Sequence, residues 1–175
     1  MGGGTRMDGR RGHLLPGLAV TLALAALAGT LPAGLARGQQ APLPPVAGAC
    51  VSSPFGWRHA VGPMAPAGFH NGIDLPAPAG GLVRAVASGS VLRIRRMGIG
   101  GLQVDLRHPD GSVTIYAHLG SVAPALAEGK RSVHAGEVLG RVGRTGVTYG
   151  THLFFMRLDG GRAVDPQPWL GVRPC

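Results

Sequence analysis

The sequence predicts an all-β domain built from antiparallel sheets of short strands, with turns rich in glycine and proline. Composition is the first observation behind this prediction, because 31 glycines and 15 prolines stand in a chain of 175 residues. Periodicity is the second. Beyond residue 36 no stretch has the apolar period of a three-turn helix, whereas apolar and polar residues alternate repeatedly from residue 83 onward. Alternating segments separated by turn residues are typical of antiparallel sheets.

The N-terminal segment predicts an export signal rather than part of the fold. Arginines at positions 6, 10 and 11 precede an apolar run from Leu14 to Leu35, and the run ends on the small-x-small pattern Gly34-Leu35-Ala36. The pair Arg10-Arg11 leaves both the general and the twin-arginine export routes open. The predicted organisation is a signal peptide over 1–36, a Pro-rich extended tether over 37–49 and one β domain over 50–175. We therefore expect a mature protein of the periplasm or cell envelope that does not span the membrane.

Charge and cysteine content narrow the partners and the compartment. A net charge of +9 would ordinarily suggest nucleic acid as a partner, but a predicted export signal excludes it and favours anionic envelope polymers. The densest basic cluster, Arg93-Ile94-Arg95-Arg96, alternates like a strand and predicts a solvated face. An even number of cysteines in an oxidising compartment predicts a disulfide, here between Cys50 and Cys175, which would close nearly the whole domain.

Turn residues divide the domain into short strands. Pro109-Asp110-Gly111 separates two alternating runs and therefore predicts a hairpin. The predicted strands, in order, lie at 83–87, 91–94, 102–107, 113–118, a short pair within 133–143, 150–156 and 163–166. In the strand that begins at Val113, the side chains of Thr114, Tyr116 and His118 share one face.

The strand from Gly150 to Met156 is the segment around which the rest of the domain is organised. In an extended segment His152, Phe154 and Met156 point to one face, while Leu153 and Phe155 point to the other. Alternate side chains stand about 6.5–7 Å apart, which suits two imidazoles that converge on one metal-bound water. Here the second of those two positions is Phe154, not histidine.

Further candidate residues stand in glycine-rich surroundings upstream. His70-Asn71-Gly72-Ile73-Asp74 contains a neutral imidazole and a carboxylate, both good zinc donors. The central glycine and the prolines just after the motif disfavour a helix, and in an extended segment the even spacing also puts both donors on one face. His118 and His152 each end a short motif and suit proton transfer or transition-state stabilisation.

These motifs, taken in order, resemble the lysostaphin-like (LytM-type) zinc metallopeptidases, which cut peptide bonds in bacterial peptidoglycan. The resemblance covers roughly Ser52 to Leu170. The motifs that carry it are Ser-Pro-Phe-Gly-Trp-Arg at 53–58, His-x-Gly-x-Asp at 70–74, Ala-x-Gly-x-Val at 87–91, Tyr-Ala-His-Leu at 116–119 and the glycine-rich lead-in to His152. It implies an antiparallel β domain with the site in a groove between sheets. It also implies that His70 and Asp74 are zinc ligands and that His118 and His152 are catalytic histidines that do not bind the metal.

The third zinc ligand of the family falls on Phe154, which cannot coordinate a metal. Because a catalytic zinc normally has three protein ligands and a water, we expect a degenerate, non-catalytic member that binds peptidoglycan or regulates a wall hydrolase. The alternative is an active zinc metalloendopeptidase whose third ligand comes from elsewhere, although His108 and His134 fall in predicted turns away from the groove. Zinc is then the cofactor only if the site is functional. A lipoyl-type carrier domain is a further reading, but Lys130, the only lysine, lacks the flanking pattern of a modified one.

Overall fold

The structure is a computed structural model, and it describes residues 41–60 and 66–175. The predicted signal peptide lies outside the described residues, as do residues 37–40 of the predicted tether. No helix within the two described ranges is long and apolar enough to cross a membrane.

Short strands dominate these two ranges. In chain order they are β1 (Gly56–Arg58), β2 (Gly68–His70), β3 (Ile73–Pro76), β4 (Leu82–Arg84), β5 (Gly89–Met97), β6 (Gly101–Arg107), β7 (Val113–Val122), β8 (Ser132–Val133), β9 (Val138–Val142), β10 (His152–Asp159) and β11 (Arg162–Val164). Two helices of a single turn, α1 (Pro124–Ala127) and α2 (Gln167–Leu170), complete them. The predicted all-β class is confirmed.

All strand pairs are antiparallel, and β10 lies at the centre of the pairing that builds the site. One edge of β10 pairs with β3 and then β11, and its other edge pairs with β7. The sheet continues from β7 through β6 and β5 to β8, while β9 joins the later half of β7 to β4. The strands β1 and β2 form a separate two-stranded ribbon.

The two faces of β10 differ as the alternation predicts. Leu153 and Phe155 are fully buried, and the Phe155 ring packs edge-on against Tyr116 with ring centroids 5.3 Å apart. These residues belong to the main apolar core, together with Ile73 and Leu75 of β3. His152, Phe154 and Met156, on the opposite face, are only partly buried. This second face of the sheet carries the candidate site.

One predicted turn is confirmed and one predicted strand pair is wrong. The hairpin at 109–111 joins β6 to β7, where the Asp110 carboxylate accepts hydrogen bonds from the Ser112 backbone N–H and hydroxyl at 3.0 and 2.7 Å. The pair predicted within 133–143 is instead the two-residue β8 followed by one continuous strand, β9. The chain does not turn at Gly140 because this residue is paired on both edges, with Val83 of β4 and Val122 of β7.

The segment before Cys50 packs on the domain, which differs from the expected extended tether. Val46 is 3% exposed and belongs to the apolar core. The Leu43 N–H donates to the Val86 carbonyl, and the Arg84 N–H donates to the Pro45 carbonyl, each at 2.8 Å. Burial of one valine and two backbone hydrogen bonds hold residues 43–46 in place.

The predicted disulfide between Cys50 and Cys175 is present, with Cα atoms 5.0 Å apart. Beside it Val51 and Pro174 form a parallel bridge, in which the Val51 N–H donates to the Arg173 carbonyl at 2.8 Å. Two residues later the same segment pairs with β3: the Asp74 N–H donates to the Ser53 carbonyl at 3.0 Å. The disulfide therefore anchors the segment that lies against the backbone of Asp74.

Candidate functional site

The candidate site begins where the ribbon β1–β2 runs into the sheet. His70 ends β2, Asp74 lies in β3, and the tight connection between them contains Gly72. A Cβ atom on Gly72 would come within 2.8 Å of the Phe154 ring and would also meet the backbone carbonyl of Phe155. The connection can press against β10 only because this residue is glycine. The expectation that the motif is not helical agrees with the structure, but the motif is not one extended segment because the chain bends at Asn71 and Gly72 between β2 and β3.

Asp74 is the anionic centre of the site. Its Oδ1 lies 3.3 Å from His70 Nε2 and 3.4 Å from His152 Nε2, and its Oδ2 lies 3.6 Å from Arg58 Nη1. Burial alone would raise the pKa of the Asp74 carboxyl, but the hydrogen bond with His70 and the nearby charges of His152 and Arg58 together lower it. Asp74 is therefore held as a carboxylate.

A hydrogen bond to the backbone fixes the orientation of the His70 ring. Its Nδ1 lies 2.9 Å from the Pro54 carbonyl oxygen, which can only accept, so Nδ1 carries the hydrogen. The other ring nitrogen, Nε2, faces the Asp74 carboxylate. A histidine that donates one ring N–H to a backbone carbonyl and presents the other nitrogen to a carboxylate has the arrangement of a metal ligand with its supporting shell.

His118 enters the site through a distortion of β7. Its φ of +61° lies in the left-handed region, which is unusual for a residue other than glycine. Backbone bonds hold it there: its N–H donates to the Gly100 carbonyl at 2.9 Å, and its carbonyl accepts from the Gly143 N–H at 3.0 Å. Its Nδ1 lies 2.9 Å from the Thr145 carbonyl oxygen, so Nδ1 carries the hydrogen and Nε2 is the lone-pair nitrogen of the neutral ring.

His152 packs against His118, with ring centroids 4.9 Å apart. Its Nδ1 lies 3.3 Å from the hydroxyl of Thr148, whose own hydrogen is directed to the Gly150 carbonyl at 2.8 Å. Burial lowers the pKa of the His152 imidazole; Asp74 opposes that shift, whereas His118 and His70 add to it, and the net direction is downward. The neutral form of His152 is therefore favoured.

Phe154 fills the middle of the site. Its ring lies between two imidazoles, with centroids 5.4 Å from His70 and 6.1 Å from His118. Phe154 also pairs directly with Asp74 across β10 and β3. An apolar ring therefore stands where the resemblance implies a third ligand.

The residues at this site do not fit a catalytic zinc ion. His70 and Asp74 are two suitable donors, and His70 keeps the orientation of a ligand, but Phe154 supplies none. Nowhere in ranges 41–60 and 66–175 do three or more His, Cys, Asp or Glu side chains form a group that could hold a metal. A three-ligand site with an open water position is thus not formed by these side chains.

Five residues that the sequence singles out, His70, Asp74, His118, His152 and Phe154, are brought together. Sequence reasoning missed Arg58, which reaches the Asp74 carboxylate although it belongs to the Ser-Pro-Phe-Gly-Trp-Arg motif. It also missed Thr145 and Thr148, which orient the two catalytic-type histidines. Thr145 falls within the glycine-rich lead-in to His152, but that pattern does not indicate that its carbonyl orients His118, and no pattern identifies Thr148. Lys130, considered for a carrier domain, pairs with Glu137 at 2.6 Å.

An antiparallel sheet that presents a histidine–aspartate motif and two further histidines on neighbouring strands defines a metallopeptidase-type β domain. The chain belongs to Peptidase family M23, whose family model matches residues 68–166.

Two curated relatives represent different functions. The DD-carboxypeptidase/endopeptidase Mpg of Neisseria meningitidis serogroup B is 40% identical over 117 residues, which are 66% of this chain and 26% of that protein. The murein hydrolase activator EnvC of Escherichia coli K12 is 34% identical over 100 residues, which are 57% of this chain and 23% of that protein. The chain thus spans about a quarter of the length of these relatives.

Solved structures agree with the fold. The catalytic domain of the antimicrobial peptidase lysostaphin from Staphylococcus simulans superposes with a TM-score of 0.59 at 27% identity, covering 69% of this chain and 90% of that domain. The resemblance predicted from the motifs is therefore confirmed at the level of family and fold.

Proposed function

We propose that this protein is an exported envelope protein whose M23 domain recognises peptidoglycan, or through it regulates a wall hydrolase, without cleaving peptide bonds itself. The observation that carries the proposal is Phe154, whose ring stands between His70 and His118 at the third ligand position. Two donors hold zinc far more weakly than three, and generation of a zinc-bound hydroxide depends on a firmly held ion.

The groove itself is retained although its third ligand is not. His118 keeps a left-handed backbone that costs roughly 1–2 kcal/mol, and strain of this kind concentrates at functional sites. Asp74 remains in contact with His70, His152 and Arg58. A site that keeps its shape and polar residues without a complete metal shell suits recognition better than hydrolysis.

The curated relatives support both versions of the proposal, which are recognition of peptidoglycan and regulation of a wall hydrolase. By their names, Mpg is a carboxypeptidase and endopeptidase, and EnvC activates murein hydrolases. A domain of this family can therefore belong to a protein that acts on the wall or to one that controls such an enzyme. Regulation of a hydrolase agrees better with an incomplete ligand set.

The envelope location rests on two features. An apolar run that ends on small residues predicts export, and the disulfide between Cys50 and Cys175 is typical of an oxidising compartment. Both features favour the periplasm or cell envelope, where peptidoglycan is accessible.

The alternative is an active zinc endopeptidase, and the orientation of His70 favours it. Because Nδ1 is bonded to the Pro54 carbonyl, Nε2 remains directed toward Asp74 as in a ligand pair. Such an enzyme would need a third donor from outside the groups that the structure brings together.

The test measures zinc content and wall cleavage in protein purified without added metal, before and after Phe154→His. We expect natural protein to carry far less than one zinc per chain and to leave purified peptidoglycan intact while sedimenting with it. The variant should bind zinc stoichiometrically, since it completes a three-ligand set around His70 and Asp74. Phe69→His is the matched control, because Phe69 is 49% exposed and points away from the site on the ribbon.

Two results would replace this proposal. One zinc per natural chain, together with wall cleavage that His70→Ala abolishes, would establish the enzyme. Failure of the natural protein to sediment with peptidoglycan, in the absence of any effect on a wall hydrolase, would remove the recognition role.

A further inference from the structure

Two rows of side chains lead from the candidate site across the face of the sheet that carries it, and the central residues of both rows are buried. In the first row Asp74 pairs with Phe154, and Phe154 pairs with Ala117. Gly100, in the β5–β6 turn, covers this row: a Cβ atom at Gly100 would come within 2.8 Å of the Gln103 side chain and 3.5 Å of Ala117. In the second row, which has continuous register, residues pair across β10, β7, β6 and β5 in the order Met156, Ile115, Asp105 and Arg93. Because directly paired residues point to the same face, Arg93 lies on the face that carries Phe154 and Met156.

Near the far end of the second row lies a buried carboxylate, that of Asp105, whose charge is compensated by an ion pair with Arg93. Asp105 is fully buried, and its two oxygens accept hydrogen bonds from Arg93 Nε at 2.7 Å and from Gln103 Nε2 at 2.9 Å. Bonds to a charged group in a buried position are strong, so this set fixes Arg93 and Gln103. Asp105 therefore compensates the charge of Arg93 within the fold.

Arg95 has the same orientation but no such partner. It pairs with Gln103 across β5 and β6, two residues from Arg93, and therefore lies on the same face. Within the described ranges no carboxylate lies within 4.0 Å of its guanidinium, and its Nε is buried without a hydrogen-bond partner. The side chain as a whole is partly exposed. Arg95 thus combines an uncompensated charge with an unpaired donor on the face of the sheet that carries the candidate site.

We propose that Arg95 forms an anion subsite that binds a carboxylate group of an acidic peptide lying across this face. Its guanidinium can offer Nε and Nη hydrogens side by side to one carboxylate, and a small rotation about the stem gives the unpaired N–H its partner. Arg93 does not compete for the ligand because Asp105 compensates its charge, and Asp105 in turn is screened by its two hydrogen bonds. This proposal rests on the proposed recognition of peptidoglycan, because wall peptides carry such carboxylates.

The distance between Phe154 and Arg95 sets the length of a peptide that could reach both. Three strand spacings separate β10 from β5, which is roughly 14 Å at the usual distance between strands. An extended peptide rises about 3.4 Å per residue, so about four residues connect a group at Phe154 with a carboxylate at Arg95.

The chain provides a matched control in the adjacent residue. Arg96 is exposed and pairs with the core residue Leu102, so it points to the opposite face of β5. Arg95→Gln and Arg96→Gln remove the same charge from the same strand, and only the first removes the proposed subsite.

The experiment compares two acetylated tetrapeptides that end in D-alanine, one with a free carboxylate and one with a terminal amide, by titration calorimetry on the whole mature chain. We expect natural protein to prefer the carboxylate about tenfold, the factor of one charge-assisted hydrogen bond. Arg95→Gln should lose this preference and Arg96→Gln should retain it, with unchanged circular dichroism in both. Equal affinities for the two peptides, or equal losses in the two variants, would overturn the subsite.

A second measurement separates this proposal from the proposed function. If intact peptidoglycan binds natural protein and Arg95→Gln equally and neither peptide is discriminated, wall recognition stands and the subsite is wrong. If neither peptide nor peptidoglycan binds, the Arg95 Nε–H resonance is followed during titration with N-acetyl-D-alanine. A saturable shift of that resonance, absent for Arg96, supports the anion subsite alone. No shift overturns it.

Discussion

His108 and His118 lie at opposite ends of the β6–β7 hairpin and are almost equally buried, at 5% and 6% exposure, yet they are bonded differently. Both ring nitrogens of His108 have partners: Nδ1 lies 2.9 Å from the Ser88 carbonyl and Nε2 lies 2.8 Å from the Thr114 hydroxyl. For His118 only Nδ1 is bonded within the described part of the chain. Burial alone therefore does not separate a structural histidine from one that faces a groove, whereas the number of satisfied nitrogens does.

The bonds around His108 also have a fixed direction. Because the Ser88 carbonyl can only accept, Nδ1 of His108 donates, and its Nε2 accepts from the Thr114 hydroxyl. The Tyr116 hydroxyl, which accepts from the Val86 N–H at 3.0 Å, then donates to the Thr114 oxygen at 3.2 Å. Every side-chain polar atom in this series of hydrogen bonds has a partner, as is typical of a network that stabilises the fold.

The backbone completes the contrast. His118 has a left-handed φ of +61°, whereas His108 is not among the described residues with positive φ. The site end of the hairpin thus accepts conformational strain to place one ring, and the other end is arranged for hydrogen bonding. This difference predicts opposite responses to mutation.

The largest expected effect is that of His108→Ala. The change leaves the Ser88 carbonyl and the Thr114 hydroxyl without their buried partner, which we expect to lower the free energy of unfolding by about 3 kcal/mol. Urea unfolding followed by fluorescence measures it. His134→Ala removes an exposed imidazole and serves as the control, with an expected change near zero. A loss as small as the control would mean that the network contributes little.

An intermediate effect is expected for Thr114→Val, which keeps the shape of the side chain but removes its hydroxyl. His108 Nε2 loses its donor and the Tyr116 hydroxyl loses its acceptor, at an expected cost of about 1–2 kcal/mol. Combined with His108→Ala, the effects should be clearly less than additive, because both changes disrupt the same chain of bonds. Strict additivity would show that the two residues act separately.

The smallest effect is expected at the site. Glycine adopts a positive φ freely, so His118→Gly relieves strain, whereas His118→Ala retains it. We expect the glycine variant to be more stable than the alanine variant by about 1 kcal/mol and to lie close to the natural protein. Thermal unfolding of the three proteins decides this order. If His118→Gly were as destabilised as His108→Ala, the distinction between the two histidines would fail.

Much of the fold could be predicted because it depends on local patterns. Alternation along β10 assigns Leu153 and Phe155 to the core, and Pro109-Asp110-Gly111 specifies the hairpin. The short pair predicted within 133–143 was wrong because pairing of β9 on both edges carries Gly140 through a strand. Packing of Val46 in the core likewise depends on partners distant in sequence.

The candidate site was predictable in its members but not in its detail. The order of motifs brings together His70, Asp74 and His118, whereas the positive φ of His118 has no local signal because the residue is not glycine. Nor does a pattern reveal that Arg93 pairs with a buried carboxylate. The alternation at 93–96 predicted a solvated face, and only the β5–β6 register places Arg93 opposite Asp105.

The Cys50–Cys175 crosslink has a mechanical consequence. Its two Cα atoms lie 5.0 Å apart across a sequence separation of 125 residues, so the polypeptide enters and leaves this part of the domain at almost one point. Tension applied between Cys50 and Cys175 is carried by the covalent S–S bond and bypasses every hydrogen bond of the sheet. Residues 43–46 are the ones that a pull from the N-terminal side would peel away first. The groove around Asp74 would keep its geometry under a load that separates those outer contacts.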